Sequence, residues 1–388
     1  MTGVQTCALP ISAIEAPDAK TIVIKLKNRL ATLPNLLAFS NSAAIVLPAN
    51  KQPATLTEFV GTGPYQLQER KPDQYVLLKR FAGYSARTDA SNFYGGKRVA
   101  YLDEIRFVPV PNANTRVEGA VAGQFDYVDA LPVEAWPRMQ GNAKMQAIVQ
   151  KGFGMPLMFL NTKEGGLTNP AMRRAVQMAL NTSDMLEAAF GSKEFYQVDG
   201  SLYPPNFTWN SKLGVEAYNQ GNAAKAKEMA GAAGYDGKPI RILTSPQYEF
   251  HLKMAQVAAE YLKAAGFKVD LQVSDWATLT TRRTQPGVWE IYFTHSPFLP
   301  EPALNSYFNN NAPGWWATPA KDKLVDDFTR EVDPAKRQAI FADIQKLVYT
   351  EVPIIKVGDF NVVSARSKKL GGFQPATWPY FWNTWVEK

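Results

Sequence analysis

Apolar positions along the chain follow two rhythms, one of strands and one of helices. Thr21-Ile22-Val23-Ile24-Lys25-Leu26 is rich in β-branched residues with partial alternation, the pattern of a strand. Glycines on either side of Thr62, followed by Pro64, mark a tight turn into a strand at Tyr65-Gln66-Leu67. Tyr75 to Arg80 reads as a second strand close enough to pair with it, and a third surrounds Glu104 to Val108. Asn112 to Gly123 reads as a helix and Phe125 to Val128 as a short strand. An apolar strand, Pro156 to Asn161, opens a different texture. Asn169 can cap a helix with Pro170 in its first turn, and Met172, Ala175, Val176 and Ala179 follow the helical stripe. Further helices are predicted over Ala223–Ala233 and Phe250–Ala265, stopped by Gly234 and Gly266, and from Asp333-Pro334 through Tyr349. Ile240–Leu243 and Lys268–Val273 flank the middle one of these three as strands. That order is a βαβ unit, so at least part of the chain is α/β with a parallel pair. Pro353–Val357 reads as a final buried strand.

The length changes the picture first: 388 residues exceed one ordinary core, so two or more lobes are expected. Hydrophobic residues at 46% and charged residues at 20% describe a globular chain. Its net charge of +7 is interleaved with acids, as where Lys336-Arg337 lies near Asp333 and Asp343, so no nucleic-acid partner is expected. No run of apolar residues is long enough to span a membrane, and the start carries no visible signal peptide. A single cysteine, Cys7, makes a disulfide within the chain impossible. The two histidines, His251 and His295, lie far apart, and no cluster has metal-ligand spacing, so neither metal nor cofactor is expected. Catalytic patterns are missing too. No serine sits in a G-x-S-x-G elbow, and Gly61-Thr62-Gly63 lacks the third glycine and following helix of a dinucleotide fingerprint. The chain is therefore not expected to be an enzyme. Val4 to Ile11 resembles the in-frame translation of a common sequencing adapter. Residues 1–11 are accordingly read as non-native read-through, with a genuine short arm as the alternative.

Val60-Gly61-Thr62-Gly63-Pro64-Tyr65, followed by Leu78-Lys79-Arg80 and Gly83-Tyr84, resembles the signature of family 5 extracellular solute-binding proteins. These include the oligopeptide- and dipeptide-binding subunits of bacterial ABC importers. The resemblance continues in order through Gly123-Gln124-Phe125-Asp126, Arg173-Arg174-Ala175-Val176, Ala179-Leu180-Asn181, Ala233-Gly234-Tyr235, Asp275-Trp276 and Trp289-Glu290. It implies an α/β, two-lobed periplasmic-binding-protein fold with a hinged cleft. Mapped onto this chain, 12–60 is the remainder of a lobe I subdomain, 61–157 is lobe I, 158–358 is lobe II and 359–388 returns to lobe I, which is incomplete. Chain crossings are expected near Phe159–Asn161 and Val357–Phe360. The implied function is capture of a small-molecule or peptide ligand by hinge closure and delivery to the permease subunits of an importer. The protein would be periplasmic and monomeric. A binder of a sugar-like or aromatic solute, or a receptor- or chaperone-like relative, is the alternative.

Five residues are candidates for ligand contact. Trp276 resembles the tryptophan that the family carries at the cleft after a strand; a core residue capping the sheet is the other reading. His295 and Phe298 follow the predicted strand Ile291-Tyr292-Phe293, whose C-terminal end is where ligands sit in α/β sheets, although a loop histidine held by hydrogen bonds would look the same. Trp315 and Trp316 are adjacent in a loop, which makes it hard for both to face one core. The aromatic run Trp378, Tyr380, Phe381, Trp382 and Trp385 reads as lobe I core. In oligopeptide-binding relatives an aspartate after the matching strand pairs with the peptide's α-amino group. Here an ungapped alignment on Glu301-Pro302 puts Phe298 at that position, and Glu301 could substitute only if the loop shifts. A ligand without a free peptide N-terminus is therefore expected.

Overall fold

Asparagine and aspartate punctuate the structure. In the computed structural model, which describes residues 11–39, 46–48 and 60–388, Asn112, Asn169, Asn181, Asn222, Asp275 and Asp333 each cap a helix. In every case the side-chain oxygen accepts a backbone N–H of the first turn. In chain order the elements are β1 (Ile11–Asp18), β2 (Thr21–Leu26), α1 (Leu33–Ala38), β3 (Tyr65–Lys71), β4 (Tyr75–Arg80), β5 (Glu104–Phe107), α2 (Ala113–Ala122), β6 (Tyr127–Leu131), α3 (Trp136–Gln140) and β7 (Met145–Leu160). There follow α4 (Pro170–Ala179), α5 (Thr182–Phe190), β8 (Tyr196–Gln197), α6 (Ala223–Ala232), β9 (Ile240–Thr244), α7 (Glu249–Ala264), β10 (Val269–Val273), α8 (Trp276–Arg282) and β11 (Ile291–Pro297). The chain closes with α9 (Pro319–Arg330), α10 (Pro334–Glu351), β12 (Ile354–Lys356), β13 (Asp359–Ser367), β14 (Leu370–Gly371) and β15 (Trp385–Val386). The reading of residues 1–11 as foreign falls, Ile11 apart, outside the described residues.

The chain divides into two compact units. One takes in the described residues up to Phe39 together with Gly152–Phe360; the other takes in those between Ser40 and Lys151 together with Asn361–Lys388. Two of the crossings fall inside strands, β7 at 151/152 and β13 at 360/361. The first lies earlier than the expected 159–161, because Pro156–Asn161 is only the end of a strand of 16 residues.

In the first unit, β9 pairs in parallel with both β10 and β11, and β7 pairs antiparallel with β11 and with β12. The expected βαβ unit is thus present, with α7 as its crossover. Gly266 ends α7 at φ +83, a backbone angle that disfavours side chains with a Cβ. Period-two alternation sorts the sheet's two faces. Leu243 and Tyr292 point into a large apolar core with Leu157, Phe159, Trp289, Phe308, Trp316, Phe341 and Ile344. Ile242, Thr244, Phe293 and His295 alternate onto the opposite face. The stripe Met254, Ala255, Ala258 and Leu262 of α7 is fully buried. The N-terminal segment is tied to this unit through Ala31 N–H, donated to the Thr329 carbonyl at 2.8 Å.

The second unit holds the antiparallel sheet β3-β4-β5, the pairing of β6 with the end of β13, and the two-residue ladder β14–β15. The C-terminal aromatic run belongs here. Tyr380 is buried against Tyr94, and Phe381 packs on Phe107, Tyr127 and Phe373. Trp385 is 43% exposed and meets Tyr101 edge-on.

Candidate ligand-binding site

The five candidate residues all lie in the first unit, and the structure distributes them over three places. Trp276 and His295 come together. Trp276 is the first residue of α8, directly beyond β10, and its N–H is donated to Gln247 Oε1 at 3.1 Å. His295 is near the C-terminal end of β11. Between them stand two residues from the start of α7 that the sequence analysis did not single out. The Tyr248 ring is 5.1 Å from Trp276 and 4.9 Å from His295, edge-on to both. The His251 ring is 5.8 Å from Trp276 and 5.1 Å from His295. Phe250 and Phe360 complete the surround of His295 at 5.4 and 5.6 Å. Trp276, Tyr248, Phe250 and His295 are half-buried, so this cluster has a surface; His251 beneath it has none.

The polar groups here are incompletely paired. His295 Nδ1 and His251 Nε2 share a hydrogen bond of 3.0 Å. His251 Nδ1, Thr244 Oγ1 at the end of β9 and Ser274 Oγ after β10 are buried without a partner. Burial lowers the pKa of both imidazoles, His295 to about 4 and His251 well below its usual value, with the neighbouring His295 as the second cause for His251. Both rings are neutral at pH 7. His251 carried a signal that went unused: it lies three residues before Met254 and seven before Ala258, a polar side chain on an apolar helical stripe.

Phe298 is one step further along the chain and belongs elsewhere. It is 7% exposed, packed on Tyr203 and Phe207, with Lys356 Nζ at 5.6 Å from its ring. Lys356 is itself buried and paired with Asp359 at 2.5 Å.

Trp315 and Trp316 are at the other end of β11. Gly314 lies against Phe159 and Leu160, and Leu160 is opposite Ile291, whereas His295 is opposite Pro156. Four strand residues, about 13 Å, separate those two points. Both tryptophans face one core, contrary to expectation. Trp315 adopts φ +50, which turns its ring to stack on Trp289 at 5.6 Å while Trp316 points inward, 2% exposed. Trp316 Nε1–H is donated to Glu351 Oε2 at 2.5 Å, and Thr162 Oγ1–H to the Gly314 and Trp315 carbonyls at 2.9 Å each. Deeper on this face, Asn305 Oδ1 and Tyr307 Oη do lack partners.

Glu301 is accounted for structurally. It is fully buried, its carboxylate accepts Arg337 Nη2 at 3.0 and 3.1 Å and Asn35 Nδ2 at 3.0 Å, and Arg337 in turn lies over Phe328. It is not available to receive an ammonium. Among the described residues no three His, Cys, Asp or Glu side chains converge as metal ligands, and no helix is long and apolar enough to cross a membrane.

An α/β sheet whose parallel strands end at half-exposed aromatic rings is the frame on which comparison with known proteins can be set. The family described as bacterial extracellular solute-binding proteins, family 5 (middle), matches residues 3–315. The chain belongs to this family. As a family 5 solute-binding protein it is 26% identical to the probable peptide ABC transporter periplasmic-binding protein y4tO of Sinorhizobium fredii, over 98% of this chain and 76% of that protein. It is also 26% identical to the glutathione-binding protein GsiB of Escherichia coli K12, over 94% of this chain and 71% of that one. Among solved structures, NikA from Staphylococcus aureus in complex with Ni(L-His)2 superposes with a TM-score of 0.83 at 20% identity, covering 98% of this chain and 80% of NikA. At that identity the likeness speaks for the two-lobed periplasmic-binding fold alone. The relatives are substrate-binding proteins of ABC transporters, which carries transport and solute binding as the function class.

Proposed function

We propose that this protein is the periplasmic solute-binding subunit of an ABC importer, working as a monomer that captures a small solute and delivers it to the permease subunits. Its work is binding, not catalysis. Within the first unit the solute meets Trp276, Tyr248 and His295, at the C-terminal ends of β9, β10 and β11, the position where α/β sheets hold ligands. One observation carries this reading: Trp276 and His295, joined by Tyr248, form a half-exposed aromatic cluster at the ends of parallel strands that also hold buried polar atoms without a partner. Phe298, Trp315 and Trp316 serve as core. Hinge closure would draw on the crossing at 151/152, where Gly152 has φ +60 and open space around its Cα. The solute is peptide-like or another polar molecule lacking a free α-ammonium at this spot, since Glu301 is committed to Arg337.

A thermal-shift screen of the intact protein against peptides, N-acetylated peptides, sugars and aromatic amides tests the reading. A solute present at a hundredfold its Kd stabilises the folded state by about 2.7 kcal/mol. Hits that vanish in Trp276→Ala and persist in Trp315→Ala support it. Silence throughout the library, together with tight binding to a protein, would favour a receptor- or chaperone-like role and sink the transport reading.

A further inference from the structure

His251 and His295 meet through a single contact, Nε2 of one to Nδ1 of the other at 3.0 Å. A neutral imidazole carries one N–H and one bare nitrogen. Both rings are packed among Tyr248, Phe250, Trp276 and Phe360, and burial holds both neutral. Two arrangements can make the 3.0 Å contact between His295 Nδ1 and His251 Nε2. If His295 donates, His251 must keep its own proton on Nδ1. That atom is buried with no partner, so the arrangement strands an N–H donor in the interior, which native structures avoid more strictly than a bare acceptor. If His251 donates from Nε2, its Nδ1 is merely a bare acceptor. His295, accepting on Nδ1, must then carry its proton on Nε2.

We propose that His251 is a positioning residue that locks His295 in the Nε2–H tautomer, so that His295 meets the solute as an uncharged hydrogen-bond donor to an acceptor oxygen such as an amide carbonyl or carboxylate. The ligand half of this inference rests on the solute-binding reading of the Trp276–His295 cluster; the tautomer half does not. The consequence for selectivity is direct. A neutral N–H repels an ammonium and suits an acyl oxygen, and the aromatic faces of Trp276 and Tyr248 suit a planar group beside it.

The chain has only two histidines, so nitrogen NMR of the histidine-labelled intact protein resolves four ring nitrogens. At pH 7 both rings should be neutral, with the proton on Nε2 in each. A proton on His295 Nδ1, or a cationic ring, overturns the proposal. His251→Leu should release His295 into a mixture of tautomers, whereas His251→Gln, whose amide N–H can still be donated to Nδ1, should preserve Nε2–H. An unchanged tautomer in His251→Leu would show that His251 does not set it; should that variant fail to fold, the wild-type spectrum alone decides. The probes for the ligand half are N-acetyl-tryptophanamide and tryptophanamide, which differ in the ammonium. The first should shift the His295 Nε2 signal and bind at least about tenfold more tightly than the second. Preference for tryptophanamide overturns the donor role. If the tautomer is as proposed and neither probe disturbs His295 or Trp276, the solute-site reading falls, and the ligand half with it.

Discussion

Two ends of one sheet, about 13 Å apart along β11, carry similar chemistry and different architecture. Each has tryptophan, neighbouring rings and a few polar side chains. At the Trp315–Trp316 end the ring of Trp316 is enclosed, its N–H is held by Glu351, and Thr162 satisfies the carbonyls of the tight turn. At the Trp276–His295 end four rings stay half-exposed, and His251 Nδ1, Thr244 Oγ1 at the end of β9 and Ser274 Oγ after β10 find no partner. The contrast teaches that aromatic density alone does not mark a binding surface. Large rings build cores as readily as clefts; what separates these two ends is how many of their rings retain a surface, four at one and Trp315 alone among the tryptophans at the other.

The sharpest way to break this contrast is to truncate one tryptophan at each end. Trp316→Ala should lose about 3–5 kcal/mol of stability by chemical denaturation, and Trp276→Ala only about 1 kcal/mol. Equal losses would erase the distinction. A loss of similar size, about 3–5 kcal/mol, is expected for Arg337→Met, which leaves the Glu301 carboxylate buried without its cation. Adding Glu301→Gln should recover part of it; if Arg337→Met is mild, Glu301 has solvent or another partner, and its dismissal as an ammonium site was premature. Acid comes next. With folded pKa values depressed below the ordinary 6.5, His251 and His295 bind protons more readily in the unfolded chain. Their contribution is therefore complete above pH 6.5, declines as pH falls, and for His295 stops declining below about 4. The unfolding free energy should be about 2–5 kcal/mol smaller at pH 4.5 than at pH 7, and His251→Leu should flatten the profile. The smallest effects are the most discriminating. Thr162→Val strips the turn of its hydroxyl donor and should cost about 1–3 kcal/mol, while Thr244→Val removes an unpartnered hydroxyl and should change stability by no more than about 0.5 kcal/mol.

Much of the first unit was legible because local and tertiary demands agree there. The helix α7 with its glycine stop, the Asn169 cap with Pro170, and the flanking strands of the βαβ unit follow directly from spacing. Where tertiary contacts decide, the pattern was silent. Strand β13 begins with Asp359, a residue foreign to strands that is tolerated because Lys356 neutralises it in the interior. Helix α5 is short and borrows its cap from Asn181. Trp315 depends on a left-handed backbone angle that no apolar periodicity can announce. The pairing of His251 with His295 joins positions on a helix and a strand, so their meeting is a product of the fold, although the placement of His251 on an apolar stripe hinted at it.

Strand β13 also sets an order of events. Its first residues, Asp359 and Phe360, pair with Gln197 and Tyr196, and its later ones, Val363 to Arg366, with Leu131 to Tyr127, partners made far earlier in synthesis. Neither compact unit can complete its hydrogen-bond ladder until these residues have left the ribosome. The entropy of closing such long loops must be overcome before any of that pairing stabilises the chain. A polypeptide in which β13 contributes to the ladders of both units leaves both of them unfinished until these residues have been made.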